Sequence, residues 1–473
     1  MHIRMKLPTP LNTTVLSAAL AALHARVFMR QLTALILSAA LCLASVPQPA
    51  RAAGGIQFVR DAEIEALLRE YIAPILRVAG VGGGGLTIYI VPSKEFNAFV
   101  IDGRRIFINV GTLLQSETPN EVIGVLAHEI GHIAGGHLAQ LRQELRYATA
   151  VSIIQLILAG AAAAAGSGEA AGAIMSGGQQ IMQRTLLSYR RGQEQAADRS
   201  AINYLNATGQ SGQGMVKTFE RFADQQIFTT RYVDPYAVSH PMPRERVAAL
   251  SNLARQSSYW NAKDSPYLQL RHDLMRAKIS AYLDHPSTVK RRYPKPNDSL
   301  AALYAHTIVR MRSSDYRGAL KGIDQLLGQM PDYPYFWEMK GEILTNAGRP
   351  RDAVAPLRKA VALAPNDTAL RVALGKAYVV SGDKSLQGNA VAELVRVTRE
   401  QRDHAEAQRY LARAYGALGK IPEANLASAE ASLASGDDDQ ARQFAMRAKQ
   451  GAKAGSPIWL RAEDILQYRP PKG

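Results

Sequence analysis

"AHEIGHIAGGH" (Ala127–His137) places three histidines and one glutamate within eleven residues. His128 and His132 stand four apart. On an α-helix that spacing is just over one turn, so both imidazoles leave the same face and can reach one ion. Glu129 follows the first of them and projects beside the ion, where it can take a proton from an activated water and pass it to a leaving amine. The residues upstream put the stretch on a helix. Thr118 is a cap, Pro119 suits the first turn, and Glu121, three residues after the cap, completes a capping box. The helix is expected to start near Pro119.

A third ligand has two possible sources. One pattern has a histidine six residues past His132, but that position is Leu138. His137 is one residue short, and on a continued helix it faces about 180° away from His128, so it reads as structural. The other pattern takes a carboxylate from a later helix. "EQAAD" (Glu194–Asp198) carries two acids four apart: Glu194 would be the ligand, and Asp198 would fix the tautomer of a ligand histidine by a hydrogen bond to its far nitrogen. Ala196 and Ala197 leave room for close helix packing. One Zn²⁺ per chain, with a fourth position left for water, is the expected cofactor.

Working outward, residues 61–78 repeat apolar side chains at intervals of three and four, an amphipathic helix. "LTIYIV" (86–91) alternates as a strand. "NAFVIDGRRIFINVG" (97–111) sets the turn dipeptide Asp102-Gly103 between β-rich flanks, a hairpin. Residues 148–165 are an apolar run of eighteen, nearly half of it alanine and broken by Ser152, Gln155 and Gly160, followed by loop-like "GSGEAAGAIMSGGQQ". A mobile apolar flap that touches membrane or substrate is the favoured reading. A buried helix or a spanning helix, which needs about 20 apolar residues, is the alternative. A further helix covers 190–209.

Beyond residue 300 a period appears. Ala319, Ala353, Ala390 and Ala424 recur at intervals of 34 to 37 residues, with Pro331 and Pro365 in phase. Trp337, Gly341, Leu344, Ala353, Leu357 and Ala360 fill the positions a tetratricopeptide hairpin uses. Four units fit between about 300 and 433. The expected domains are a signal with an upstream extension (1–52), a metalloprotease domain (53–265), a linker (266–298), the repeats (299–450) and a tail (451–473).

The signal reading rests on Arg26 and Arg30, the apolar run 32–46 and "ARA" at 50–52, with cleavage after Ala52 and Met29 as a candidate start. The single cysteine, Cys42, lies inside it, so the mature chain would hold no disulfide. The net charge is +16; removing Arg4, Lys6, Arg26, Arg30 and Arg51 leaves the mature chain near +11. Its basic residues are scattered without interleaved aromatics, which argues against nucleic acid and leaves an anionic membrane surface or acidic partner, or a plain solvated basic surface, as the readings of the charge.

The HEIGH stretch, Glu194 with Asp198, "NAF" (97–99) and "SHPMPRER" (239–246) together resemble the HtpX/CAAX-prenyl-protease-type gluzincins. The signal and the repeats resemble the exported branch of that family, the β-barrel assembly-enhancing proteases of the BepA type. The resemblance implies a mainly α fold with a small β-sheet: a zincin-like metalloprotease domain followed by an α-helical tetratricopeptide-repeat solenoid. It implies metal ligands His128, His132 and Glu194, a general base Glu129, and an edge strand at Asn97–Phe99 that pairs with extended substrate. His240 and Arg246 would face the cleft. There His240 either donates to the oxyanion with Arg246 beside it, or binds the metal as a latch. Implied partners are unfolded or stalled outer-membrane proteins in the periplasm, the β-barrel assembly machinery, and a membrane surface touched by 148–165. A chaperone or scaffold with an idle metal site and a broad envelope stress protease are the rival readings.

Overall fold

In a computed structural model, residues 58–81, 85–164, 167–228, 240–296 and 298–469 are described. The signal segment 1–52, with Cys42, and most of the approach to His240 lie outside them. Asp61 caps the first helix by accepting from the backbone N–H of Ile64, and α1 runs Ala62–Ala79. Its apolar face (Ile64, Leu67, Leu68, Tyr71, Ile75) is fully buried. β1 (Thr87–Val91), β2 (Ala98–Asp102) and β3 (Arg105–Asn109) follow. They form a sheet of order β1-β3-β2, in which β3 runs parallel to β1 and antiparallel to β2. One sheet face, with Ile90, Ala98, Ile106 and Ile108, enters the core.

After the short α2 (Val110–Gln115), α3 (Pro119–Ala134) carries the HEIGH stretch, and Thr118 caps it by accepting from Glu121 N. The capping box is half formed. The Glu121 carboxylate accepts from Glu117 N at 3.3 Å rather than from the cap residue, because Lys217, 3.0 Å away, also holds it. Every residue of α3 from Glu121 to His132 is buried, which makes it the central helix of this half.

α4 (His137–Ala164) and α5 (Gly168–Ala207) then pack together as a helical hairpin. The loop expected after the apolar run is absent from Gly168 onward, where α5 has already begun; alanine-rich sequence with few breakers other than glycine favours helix. The buried-helix alternative fails as well: Ile153, Ile154, Leu156, Ile157 and Leu158 are all more than half exposed. Among the described residues, no helix is long and apolar enough to cross a membrane.

α6 (Gln213–Phe228) and α7 (Arg244–Arg255) close the core around α3. The stretch read as a linker is structured instead. α8 (Pro266–Leu283) and α9 (Pro286–Arg292) fill most of it. α8 gives Met275 and Ile279 to the first core and Leu274, Ala277 and Ala281 to the next, so its apolar residues face two ways and show no single stripe. The repeats follow as four helical hairpins: α10 (Leu300–Arg312) with α11 (Tyr316–Gln329), α12 (Pro334–Asn346) with α13 (Pro350–Leu363), α14 (Thr368–Val380) with α15 (Gln387–Glu400), and α16 (Ala405–Ala417) with α17 (Ile421–Ala434). α18 (Asp438–Gly451) and α19 (Pro457–Gln467) add a fifth pair. The segment expected as a tail thus contains a helix, which buries Ala462 and Ile465 against α18.

The two halves share a buried polar junction. Glu63 of α1 accepts from Tyr304 Oη at 3.0 Å and from Tyr333 Oη at 2.6 Å. Lys278 of α8 lies 2.8 Å from Asp61, 3.3 Å from Glu63 and 3.7 Å from Glu338.

Candidate metal centre

The site is built from two helices and the chain that enters a third. α3 brings His128 and His132 to one face. α5 brings Glu194, and it can do so because a Cβ on Gly131 would sit only 2.9 Å from Ala197 O. With glycine there, α3 and α5 touch through backbone. His240 arrives just ahead of α7. The side-chain atoms converge: His128 Nε2 lies 3.0 Å from His132 Nε2, 3.2 Å from His240 Nδ1 and 3.4 Å from Glu194 Oε2. Glu194 Oε2 is 3.0 Å from His240 Nδ1, and Glu194 Oε1 is 3.4 Å from His132 Nε2. All four residues are buried.

These separations fit a small ion. A tetrahedral site with bonds of about 2.0–2.1 Å sets neighbouring donors about 3.3 Å apart. Three imidazoles and one carboxylate are borderline-soft nitrogen and oxygen donors of the kind zinc takes. Electrostatics agree. Burial works against charge on His128, yet hydrogen bonds donated to the carboxylates of Asp198 and Glu194 raise its pKa to about 9. Positive charge is favoured at that point. Burial and the neighbouring His128 push His132 down to about 2, leaving a neutral imidazole with a lone pair to give. Burial would raise Glu194, but His240 and His128 hold its carboxyl well below the usual range.

Around the donors stands a second layer. Asp198 Oδ1 lies 3.0 Å from His128 Nδ1, the nitrogen turned away from the cluster. Arg246 grips the same carboxylate with Nε at 2.7 Å and Nη2 at 2.8 Å, and reaches Glu194 with Nη1 at 2.9 Å. Nη1 also donates to Pro241 O, which ties down the chain beside His240. The guanidinium expected beside an oxyanion is therefore committed to the carboxylates and packs over the Phe219 ring at 5.3 Å. Phe219 also meets the His128 ring edge-on. No local sequence pattern marks that residue, whose role exists only once α6 packs on α3.

His137 departs from expectation in an informative way. Its ring does not face away: His137 Nδ1 lies 3.0 Å from His132 Nδ1. α3 stops at Ala134, Gly136 adopts φ 63°, and the chain turns before α4 begins. The ring thus swings back onto the ligand. The pair Gly135-Gly136 was the available signal that the helix would not continue.

Glu129 is fully buried, and neither carboxylate oxygen has a hydrogen-bond partner among the described residues. Oε1 is 3.4 Å from His240 Nε2. Burial raises its pKa above the ordinary carboxylate value. A carboxylate so placed, adjacent to the donor cluster and with open acceptor capacity, can hold and move a proton.

Residues 59–254 match the model of peptidase family M48, and residues 304–368 match a tetratricopeptide-repeat model. Over 300 residues the chain is 27% identical to a protein named beta-barrel assembly-enhancing protease from Yersinia pestis, covering 62% of this chain and 60% of that protein. The chain thus spans about three fifths of that relative's length. Over 375 residues it is 24% identical to a protein of the same name from Escherichia coli strain K12, covering 78% of this chain and 75% of the relative. A putative protease of that name from Vibrio cholerae is 31% identical over 199 residues, 41% of this chain and 39% of the relative.

Proposed function

We propose that this chain, which carries a metallopeptidase domain of family M48 followed by tetratricopeptide repeats, is an exported zinc endopeptidase. It works in the periplasm on misfolded or stalled outer-membrane β-barrel proteins. One observation carries the reading: the convergence of His128, His132, Glu194 and His240 beside the buried carboxylate of Glu129, which has no hydrogen-bond partner among the described residues.

His128, His132 and Glu194 would hold a zinc ion, which when bound would supply Lewis acidity toward a peptide carbonyl and toward water. The chain supplies the rest. Glu129 takes the proton from the attacking water and delivers it to the leaving amine. Asp198 and His137 hold the outer nitrogens of His128 and His132, so that each presents Nε2 inward. Arg246 keeps Asp198 and Glu194 apart yet ionised. His240 Nε2 can donate to the oxyanion that develops on the carbonyl.

The client class follows from the names of the relatives and from the open edge of β2, where an extended segment of a stalled barrel can add as a strand. The repeats hold clients or the assembly machinery. The exposed apolar residues of α4 give peripheral contact with a membrane. A second reading is a scaffold or chaperone whose site is latched. The position of His240 Nδ1 among the donors favours it, since a fourth protein ligand excludes water.

Glu129→Gln separates the two. The peptidase reading expects at least about a hundredfold loss of casein hydrolysis with zinc content unchanged; retained support of barrel assembly by that variant would favour the scaffold. His240→Ala decides the role of the histidine: faster hydrolysis marks a latch, slower hydrolysis an oxyanion donor, and an unaltered rate refutes both. Crosslinked capture with Glu129→Gln tests the clients, because a catch spread evenly over envelope proteins would replace barrel specificity with a general stress role.

A further inference from the structure

The outer face of the sheet carries a row of rings that the chemistry above does not use. Register sets Tyr89 beside Phe107, and Phe107 beside Phe99. The rings follow that register: Tyr89 and Phe107 stack with centroids 5.1 Å apart at 15°, and Phe99 and Phe107 at 5.2 Å and 9°. Phe58 caps the β1 end, 4.8 Å from Tyr89. Phe107, in the middle, is covered on both sides and buried. Phe99, at the other end, is only half-buried, and no described strand or ring lies beyond it.

The backbone decides what an added strand would meet there. Asn109 N donates to Asn97 O at 2.9 Å. In an antiparallel ladder the 97/109 and 99/107 pairs are then of the same bonded kind. The amide groups of Phe99 therefore turn toward β3, and those of Ala98 and Val100 turn toward the open edge. A strand arriving antiparallel bonds to Ala98 and Val100. It faces Phe99 with a non-hydrogen-bonded neighbour, the pairing in which side chains come closest. One end of this edge is already held: Arg142 Nη2 donates to Ile101 O at 3.2 Å. Ile101 itself sits at the register shift between Val100 and Asp102 and is 42% exposed, which extends the apolar rim.

We propose that Phe99 is a specificity-determining residue: an extended client pairs with β2 and is selected for an aromatic side chain opposite Phe99, which lengthens the row by one ring. The inference rests on the peptidase reading and names the substrate class within it, extended segments with an aromatic residue on the face that lies over the sheet. A small or charged residue at that point leaves the Phe99 ring half wet and forfeits the stacking.

The test uses the zinc-loaded mature chain and a peptide library digested from denatured proteins, with the cut sites aligned after mass spectrometry. One position at fixed spacing from the cut is expected to be enriched in Phe, Tyr and Trp. A pair of peptides that differ only there, Phe against Ala, then differ in kcat/KM by about fivefold, mainly through KM. Phe99→Ala removes that ratio and Phe99→Trp keeps it. Phe99→Leu, which preserves an apolar strand residue and hence the fold, also lowers it. Cleavage without aromatic enrichment, or a ratio unchanged in Phe99→Ala and Phe99→Leu, overturns the proposal and leaves the peptidase reading standing. Failure of the wild-type chain to cut any peptide overturns both.

Discussion

Asp198 acts at two points at once. One oxygen faces the outer nitrogen of His128, and the whole carboxylate accepts a two-pronged grip from Arg246. Burial alone would raise its pKa, but Arg246 and His128 hold it below the ordinary value, so it stays charged where it is needed. Asp198→Asn keeps the shape and removes the charge. The imidazole then loses its orienting acceptor, and zinc affinity is expected to fall about 10- to 100-fold. Competition with a fluorescent zinc chelator reads this directly, and an unchanged affinity would show that Asp198 is a structural partner of Arg246 only. At this scale the sequence was legible where spacing alone carries geometry. His128 with His132, and Glu194 with Asp198, are each one turn apart, and a turn cannot hide that. It was not legible for His137 or Arg246. Their roles depend on where a helix breaks and on which carboxylates fold beneath a guanidinium.

Helices and strands declare themselves when one face is wet and the other dry. The α1 stripe follows that rule, and the capping Thr118 and the Asp102-Gly103 turn are legible from local backbone chemistry instead. α8 does not, because it is dry on two sides. Its His272 links α1 to the chain after α2: Tyr71 Oη lies 2.9 Å from Nδ1, and Nε2 donates to Ser116 O at 2.9 Å. Burial lowers this histidine to about 4. Its contribution is complete above the unfolded value near 6.5 and is lost as pH falls toward 4, because the unfolded chain takes up the proton first. The window spans about 2.5 units, or ~3 kcal/mol. Urea midpoints measured from pH 7 to pH 4 should therefore fall less steeply in His272→Gln than in the wild type, and parallel slopes would remove the histidine from the account. α4 breaks the wet-and-dry rule in the other direction. Its isoleucines and leucines at 153–158 are exposed near Arg142 and Arg146, also exposed. Apolar side chains flanked by cations suit an anionic lipid surface. Ile154→Asp with Ile157→Asp should reduce co-sedimentation with phosphatidylglycerol vesicles several-fold while leaving peptide hydrolysis in solution intact. Equal sedimentation would assign the patch to protein clients.

Across the whole molecule, the half that holds the metal-site residues and the repeats are not beads on a string. Ala62 of α1 belongs to the repeat core, α8 supplies both cores, and Glu63 and Lys278 are buried among groups from each half. From Ile56 onward the chain is one compact unit. None of this could be read from local pattern, because the partners of Glu63 lie 241 and 270 residues away. The consequence is energetic. Ending the chain at Asp298 would strip Glu63 of Tyr304 and Tyr333 and Lys278 of Glu338, and would expose Leu274, Ala277 and Ala281. Breaking a buried charged cluster in this way costs about 3–5 kcal/mol, and each kcal/mol shifts the melting temperature of a domain this size by about 2–4 °C. The shortened chain is expected to melt roughly 10 °C lower than the same half does within the full chain. The full chain should lose its metal site and its repeat helices in one transition, monitored by zinc release and by circular dichroism together. Lys278→Ala should move both signals down in step, because the carboxylates it leaves behind belong to both halves. Two separated transitions in the full chain, or a shortened chain as stable as the whole, would mean that the arm is an independent attachment. A jointly folded arm instead holds the repeat surface at a fixed distance from Glu129, so that, on the proposed peptidase reading, the length of client chain between the two would help decide what is cut.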